Sequence, residues 1–383
     1  MRVGTLLNTF KVIPKILYDL YGSETDVMNK AAWFLQHSPK VFLHWMTKVL
    51  QMTELPEERF DIKKFFDGMD LPAQIRELRQ AGATHFELSG DLVFLLPQME
   101  NWWREQLPYL ASLRNEGITY SVHLPQFAGL NPDSYLAGVR SGAVLEIRRI
   151  NEFFTPLDPQ YALHLGGERF FRYLDTHLVN PALERELKTV LGSDSYLEKL
   201  KVKSAKLLIQ ELMKFTKGFV IERVVDQNVL RSLREIQEFM PIEKICLENL
   251  EYIDFDAVMA SLMPHIPASV CLDTGHLTIQ KWHEYPACYE QFFARYGERI
   301  RQLHIHNVIK ISEEVFDEQT KEPVIQDHKP LNVKGGLLPV RKILQLVRDT
   351  ERRTGRDIPL VVELYYHDPL PSVRYLASEI GKL

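Results

Sequence analysis

A chain of 383 residues, 45% hydrophobic and 25% charged, is long and apolar enough to bury a large core and does not have the composition of a disordered protein. Its formal net charge of -5 gives no electrostatic footprint for generic nucleic-acid binding. Its three cysteines, Cys246, Cys271 and Cys288, are widely spaced without a C-x-x-C pair, which argues against a disulfide framework or a thiolate zinc site.

The first residues, "MRVGTLLNTFKVIP", have too short an apolar run for a signal peptide. No stretch reaches the ~18 uncharged apolar residues of a membrane span. The expectation is a soluble, cytoplasmic protein of a reducing compartment.

In chain order, short runs rich in Val, Ile and Leu recur between longer helical patterns. They are "RVGTLLN" (2–8), "THFELSG" (84–90), "TYSVHLP" (119–125), "YALHLGG" (161–167), "KICLENL" (244–250), "SVCLDTG" (269–275), "RQLHIHN" (301–307) and "PLVVELYY" (359–366). Between them lie 3.6-residue patterns such as "LPAQIRELRQAGA" (71–83) and "PVRKILQLVRDTERRTG" (339–355), the latter stopping on Gly355. Buried strands alternating with helices make a parallel sheet with right-handed crossovers. Eight of them close a (β/α)8 TIM barrel. An open doubly wound sheet is the rival, but "LLNTFKVIPK" after the first strand is not a glycine-rich phosphate turn.

The reading is α/β: one TIM-barrel domain over 1–383 with helical insertions on its C-terminal face. Long segments at about 9–70, 168–243 and 308–338 leave the carboxyl ends of strands and read as lid elements. The first holds an amphipathic helical pair at 28–52, broken near Ser38-Pro39.

Polar residues gather at the strand ends. Strand three ends with His123, strand four with His164 and strand five with Glu248. Strand six carries Asp273 and His276, strand seven His304 and His306, and strand eight Glu363; His328 follows in "QDHKPLN". Singly, each has a plain explanation, such as a satisfied polar histidine or a helix-capping acid. Six successive strands, however, deliver His or carboxylate to one end of one barrel, so the side chains converge on its axis. Buried carboxylates need a positive compensator, and the strand ends carry no matching arginine or lysine. A divalent cation serves, and a His/Asp/Glu set suits zinc, manganese or iron. His304 and His306 are two apart and share one face of their strand.

These residues resemble the xylose-isomerase-like TIM barrels, which include the endonuclease IV (AP endonuclease family 2) proteins and many sugar isomerases and epimerases. The resemblance spans roughly 70–380. It is carried by "HLP" at His123, "HLGG" at His164, "LEN" at Glu248, "CLDTGHL" at Asp273 and His276, "HIHN" at His304, "DHKPL" at His328 and "VVEL" at Glu363. Endonuclease-IV-like members imply three ions. His123 and His164 would hold one, with Glu248 bridging to a second completed by Asp273, His304 and Glu363. His276 and His328 would hold a third with an acid two residues before the latter. Here that position is Gln326, and the nearby acid is Asp327. Isomerase-like members imply one ion on Glu248, Asp273, His304 and Glu363, with the two glutamates moving the substrate proton and His276 contacting a sugar oxygen.

The leading expectation is a hydrolase: metal-assisted cleavage of a small phosphoester on one to three zinc or manganese ions, with Glu248, Glu363 and His276 as catalytic groups. Arg169 and Arg172 in "GGERFFRY" are candidate anion contacts, with Glu87 and His306 as further substrate contacts. The acidic chain and long lids weigh against undistorted duplex DNA as a partner and favour a small molecule, and the oligomeric state stays open. A single-metal sugar or sugar-phosphate isomerase or epimerase is the alternative, and a non-catalytic binding protein the third reading.

Overall fold

A computed structural model describes residues 1–7, 70–90, 93–94, 97–125, 132–134, 137–165, 221–250, 255–310, 325–364 and 367–383, and among these described residues ten strands and nine α-helices follow one another. The strands are β1 (Arg2–Leu6), β2 (His85–Ser89), β3 (Thr119–His123), β4 (Gln160–His164), β5 (Ile245–Glu248), β6 (Ser269–Asp273), β7 (Ile300–Ile305), β8 (Asn307–Lys310), β9 (Ile325–Lys329) and β10 (Pro359–Val362). The helices are α1 (Leu71–Gln80), α2 (Pro97–Leu113), α3 (Ala137–Phe154), α4 (Ile221–Gln237), α5 (Phe255–Leu262), α6 (Thr274–Gln280), α7 (Cys288–Tyr296), α8 (Val340–Thr354) and α9 (Leu370–Gly381). Eight strands close a parallel barrel in the order β1-β10-β7-β6-β5-β4-β3-β2, as the alternation of strand and helix patterns predicts. Each of the eight expected runs overlaps one of these strands, β4 and β7 beginning one residue before theirs.

Helix α8 illustrates how the outer ring forms. Its buried residues Val340, Ile343, Leu344 and Val347 make an i, i+3, i+4, i+7 stripe toward the barrel. Gly355 ends it in a left-handed turn at φ 68°, with its N–H on the Glu351 carbonyl at 2.8 Å. Helix α1 starts on Asp70, whose side chain accepts from the Ala73 N–H at 2.8 Å, and buries Leu71, Ile75 and Leu78. Each such aliphatic side chain contributes about 1.5–3 kcal/mol through burial.

Strand alternation sorts the core into two chemistries. On β7, Leu303 and Ile305 join the large apolar cluster between barrel and helices, whereas Gln302 and His304 belong to the opposite, inward face. That inward face is small or polar. Ala162, Cys246 and Cys271 form a separate cluster, and His85, Glu87, Ser121 and Gln302 are almost fully buried beside it. The three cysteines are buried and free, and no described helix is long and apolar enough to cross a membrane.

The long segments are partly described. After β7 the described residues form an antiparallel β8–β9 pair that lies, but for Asn307, within 308–338. The end of the 168–243 segment is the barrel helix α4, packed on α3, rather than a lid. The helical pair at 28–52 lies outside the described residues.

His85 is the interior residue with the clearest consequence for stability. Its Nδ1 meets Thr119 Oγ1 and its Nε2 meets Ser121 Oγ, both at 2.9 Å. Burial drives its pKa down from 6.5 to about 4, with Glu87 pulling weakly the other way. Between those pH values the unfolded chain binds a proton that the folded chain refuses, so folding stability is full above pH 6.5 and is lost toward pH 4. The loss is on the order of 3 kcal/mol. Urea melts at pH 7 and pH 4.5 should show His85→Asn losing about 2 kcal/mol less than wild type between the two conditions.

Candidate metal centre

Register brings the strand ends into one constellation. His164 stands beside Glu248 in the β4–β5 pairing, and Asp273 beside His304 in the β6–β7 pairing. Glu248 is 2% exposed, and four histidine nitrogens surround it. They are His164 Nε2 at 3.2 Å, His304 Nδ1 at 3.3 Å, His123 Nε2 at 3.6 Å and His276 Nδ1 at 3.7 Å. The His123 Nδ1–H donates to the Leu124 carbonyl at 2.9 Å, which turns Nε2 toward His164 Nε2, 3.2 Å away.

Asp273 does two things at once. One oxygen caps α6 by accepting from the His276 N–H at 2.6 Å, and the other accepts from His306 Nε2–H at 2.9 Å. Asn249, next to Glu248, ties the two strands together: its side chain accepts from the Asp273 N–H at 2.8 Å and donates to the Asp273 carbonyl at 3.0 Å. The His276 Nδ1–H donates to the Asn249 carbonyl at 3.1 Å, and its Nε2 lies 3.9 Å from Asp327. His306 Nδ1 accepts from the His328 N–H at 2.8 Å, and the two rings stack with centroids 4.0 Å apart.

On the far side, His304 Nδ1 lies 3.0 Å from Glu363, while its Nε2 faces Glu87 at 3.1 Å. His328 Nε2 is 3.7 Å from Glu363, and its Nδ1 is 3.1 Å from Asp327. Asp327 therefore supplies the acid beside His276 and His328. The side chain of Gln326 lies outside the described residues, as do Arg169 and Arg172.

Six of the eight residues expected to hold metal enter a common donor set and His306 joins them, while His164 and His276 lie beside Glu248 outside those sets. Three overlapping donor sets bring one ligand atom per residue within 4.8 Å: His123, Glu248 and His304; Glu248, Asp273, His304 and Glu363; and Asp273, His306, His328 and Glu363. Both Glu248 carboxylate oxygens and His304 Nδ1 are buried without a hydrogen bond, an arrangement a cation satisfies and a neutral core does not. The donors fit a divalent metal ion. Glu87 and His306 are fully buried, with partners in the barrel interior and in the metal constellation respectively, so neither presents surface to the mouth. Asn249, Ser121 and Gln302 are missing from the sequence-based set. Asn249 is signalled by its place in "LEN", and Gln302 by lying two before His304 on the inward face.

Charge in the constellation is balanced by histidine. Burial raises carboxyl pKa values, yet His304 and His164 hold Glu248 well below the usual range, and His304 and His328 do the same for Glu363. Burial lowers imidazoles, yet Glu248 lifts His123 to about 9. His304 is likewise held well above its ordinary value by its acidic neighbours, and His328 by Asp327 and Glu363. His164 is the exception: its burial outweighs Glu248 and its pKa falls.

No protein-family model matches the chain, and no curated protein does. Solved structures do share its architecture. The probable 3-DHS dehydratase AsbF of Bacillus anthracis, described as involved in petrobactin synthesis, is similar at a TM-score of 0.50 and 11% identity, covering 82% of this chain and 94% of its own. The shared fold is a TIM barrel. A D-tagatose 3-epimerase-like protein aligns at a TM-score of 0.48 and 16% identity over 82% of this chain and 93% of its own. SacUVDE aligns at 0.48 and 10% identity over 100% and 98%.

Within this barrel the Thr274-Gly275 turn has a strict steric requirement. A Cβ on Gly275 would sit 2.0 Å from His306 Cε1. The ring is hydrogen-bonded at both nitrogens and stacked on His328, so it has nowhere to give. Alanine's helix preference, at most about 1 kcal/mol, is set against an overpacking cost of about 1–3 kcal/mol. Gly275→Ala should therefore lower the melting temperature, and a raised one would show that His306 is free to move.

Proposed function

We propose that the chain is a divalent-metal-dependent enzyme that hydrolyses a small phosphoester at the barrel mouth. What supports this reading is a surplus of donors. The set of His123, Glu248 and His304 shares no residue with the donors Asp273, His328 and Glu363, which His306 braces, so the constellation has room for more than one ion. Bound divalent ions supply Lewis acidity to the phosphoryl and leaving-group oxygens and lower the pKa of attacking water.

The chain's own residues take distinct parts. His123 and His164 present Nε2 atoms beside Glu248. Glu363 holds the far side with His304 and His328. His276, oriented by its Nδ1–H on Asn249, presents Nε2 beside Asp327, where it can hold the proton for the leaving oxygen. The substrate is a small molecule, and the metal is zinc or manganese.

A second reading, single-metal isomerisation or epimerisation of a sugar, has one observation in its favour. Glu248, Asp273, His304 and Glu363 alone make a compact four-donor set, with Glu248 and Glu363 on either side of His304 Nδ1. These glutamates would then move the proton next to a carbonyl.

Metal analysis separates the two. Protein purified without added metal should carry more than one zinc or manganese ion per chain and cleave p-nitrophenyl phosphoesters. Glu248→Gln should lose metal and lower turnover by more than about 100-fold, beyond the effect of an outer-sphere change. One ion or fewer with no phosphoesterase activity, but deuterium uptake from solvent into ketoses, overturns hydrolysis in favour of the isomerase.

The raised histidines give a second test. His123, at about 9, is protonated at pH 7 in the metal-free protein and must shed that proton to bind an ion. Metal affinity should rise with pH up to about 9 and fall in acid, and calorimetry in buffers of different ionisation enthalpy should register proton release on binding.

A further inference from the structure

Below the metal constellation, inside the barrel, sits an acid that neither reading of the reaction uses. Glu87 of β2 is 0% exposed and lies a layer beneath the mouth. No lysine or arginine compensates it among its described partners, which are Ser121, Gln302 and His304. Ser121 Oγ–H donates to Oε2 at 2.8 Å, and the Gln302 side-chain amide donates to the same oxygen. The other oxygen lies 3.1 Å from His304 Nε2.

The donors behind Ser121 run in one direction. Because Ser121 spends its proton on Glu87, it accepts from His85 Nε2–H at 2.9 Å, and His85 Nδ1 in turn accepts from the Thr119 hydroxyl at 2.9 Å. The chain from Thr119 through His85 and Ser121 terminates on Glu87. An acid whose Oε2 accepts from both Ser121 and Gln302 stays ionised, and an ionised acid whose Oε2 lies 3.3 Å from an imidazole nitrogen in hydrogen-bond geometry demands a proton there. His304 Nε2 must carry that proton. Glu363 and Glu248, 3.0 Å and 3.3 Å from Nδ1, hold a second proton there in the metal-free chain, and because Nε2–H stays on Glu87 the Nδ1 proton is the one an ion displaces.

We infer that Glu87 is a positioning residue for the metal centre: it takes the Nε2–H of His304, fixes that ring's tautomer and orientation, and so presents Nδ1 as a ligand between Glu248 and Glu363. The inference rests on the metal-dependent reading but not on which reaction follows. A ligating imidazole whose other N–H meets a carboxylate is a more basic and better-held donor, and loss of such a partner costs about 10–100-fold in metal affinity. Gln302 steadies the acid from the side by donating its amide N–H to the same carboxylate.

The test uses the full-length chain stripped of metal and titrated with Mn2+, free ion being read by electron paramagnetic resonance. Glu87→Gln keeps the shape and removes the charge. It should weaken Mn2+ binding about 10–100-fold while the metal-free protein keeps its far-ultraviolet circular dichroism. In parallel, the ring 15N signals of His304, assigned by their absence in His304→Gln, should show an Nε2–H tautomer in zinc-loaded wild type and a mixture in Glu87→Gln. If Glu87→Gln does not fold, Ser121→Ala and Gln302→Met loosen the acid without deleting it, and each should weaken Mn2+ binding several-fold. Affinity within threefold of wild type in the folded Glu87→Gln chain, or in both substitutes, overturns the positioning role alone. A wild-type chain that binds no divalent ion, and matches Glu248→Gln in this, overturns the metal reading and the inference with it.

Discussion

Four histidine nitrogens within 3.2–3.7 Å of one buried glutamate set the terms for the rest of the barrel's upper half. A carboxylate such as Glu248, withdrawn from water, survives as an anion only beside positive charge. Each histidine that provides it arrives from a different strand or turn. Those strands must therefore keep their register, and the register in turn depends on the apolar outer face that locks strand to helix. A slip of one residue on β7 would send His304 and His306 into the hydrocarbon cluster now holding Leu303 and Ile305. Stability and site assembly are thus two consequences of the same alternation.

The arrangement is expensive in isolation. Glu87, Glu248, Asp273 and Glu363 are all almost fully buried within one barrel. In the metal-free chain their charge is met by histidines lifted toward protonation, which is a provisional solution because a divalent cation can replace several protons at once. Interior hydroxyls and amides then act as scaffolding. Asn249 ties β5 to β6 through the Asp273 backbone, and Ser121 and Gln302 steady Glu87. None of these touches the mouth, yet each restricts where a donor atom can point.

Much of this was legible in the sequence because strands and ligands obey short periods. The eight apolar runs, the two-residue spacing of His304 and His306, and the order of His and carboxylate at successive strand ends all follow from side chains alternating across a sheet. Register between distant strands is not written locally, so the convergence of Glu87 with His304, separated by 217 residues, had no local sign. Nor did the choice between Gln326 and Asp327. The positive φ of 50° at His328 turns the backbone there, and the sequence carries no glycine to announce it. Gly275 was legible as a turn, but its reason is the His306 ring pressed against it.

His304 and His306 show why spacing alone cannot assign a role. Both point inward from the end of β7, and both are 0% exposed. His304 has one nitrogen on Glu87 and the other open toward Glu248 and Glu363. His306 has both nitrogens engaged, one donating to Asp273 and the other accepting from the His328 N–H. An imidazole with its lone pair already taken by a backbone amide and its proton given to a carboxylate is a strut, even though its atoms fall within ligand distance of Asp273, His328 and Glu363. That strut joins the β8–β9 pair to the acid at the end of β6. Displacement of the pair would then be felt at Asp273, through one ring and two hydrogen bonds, before it reached any other donor. The paired strands β8 and β9 are therefore coupled to the centre by geometry.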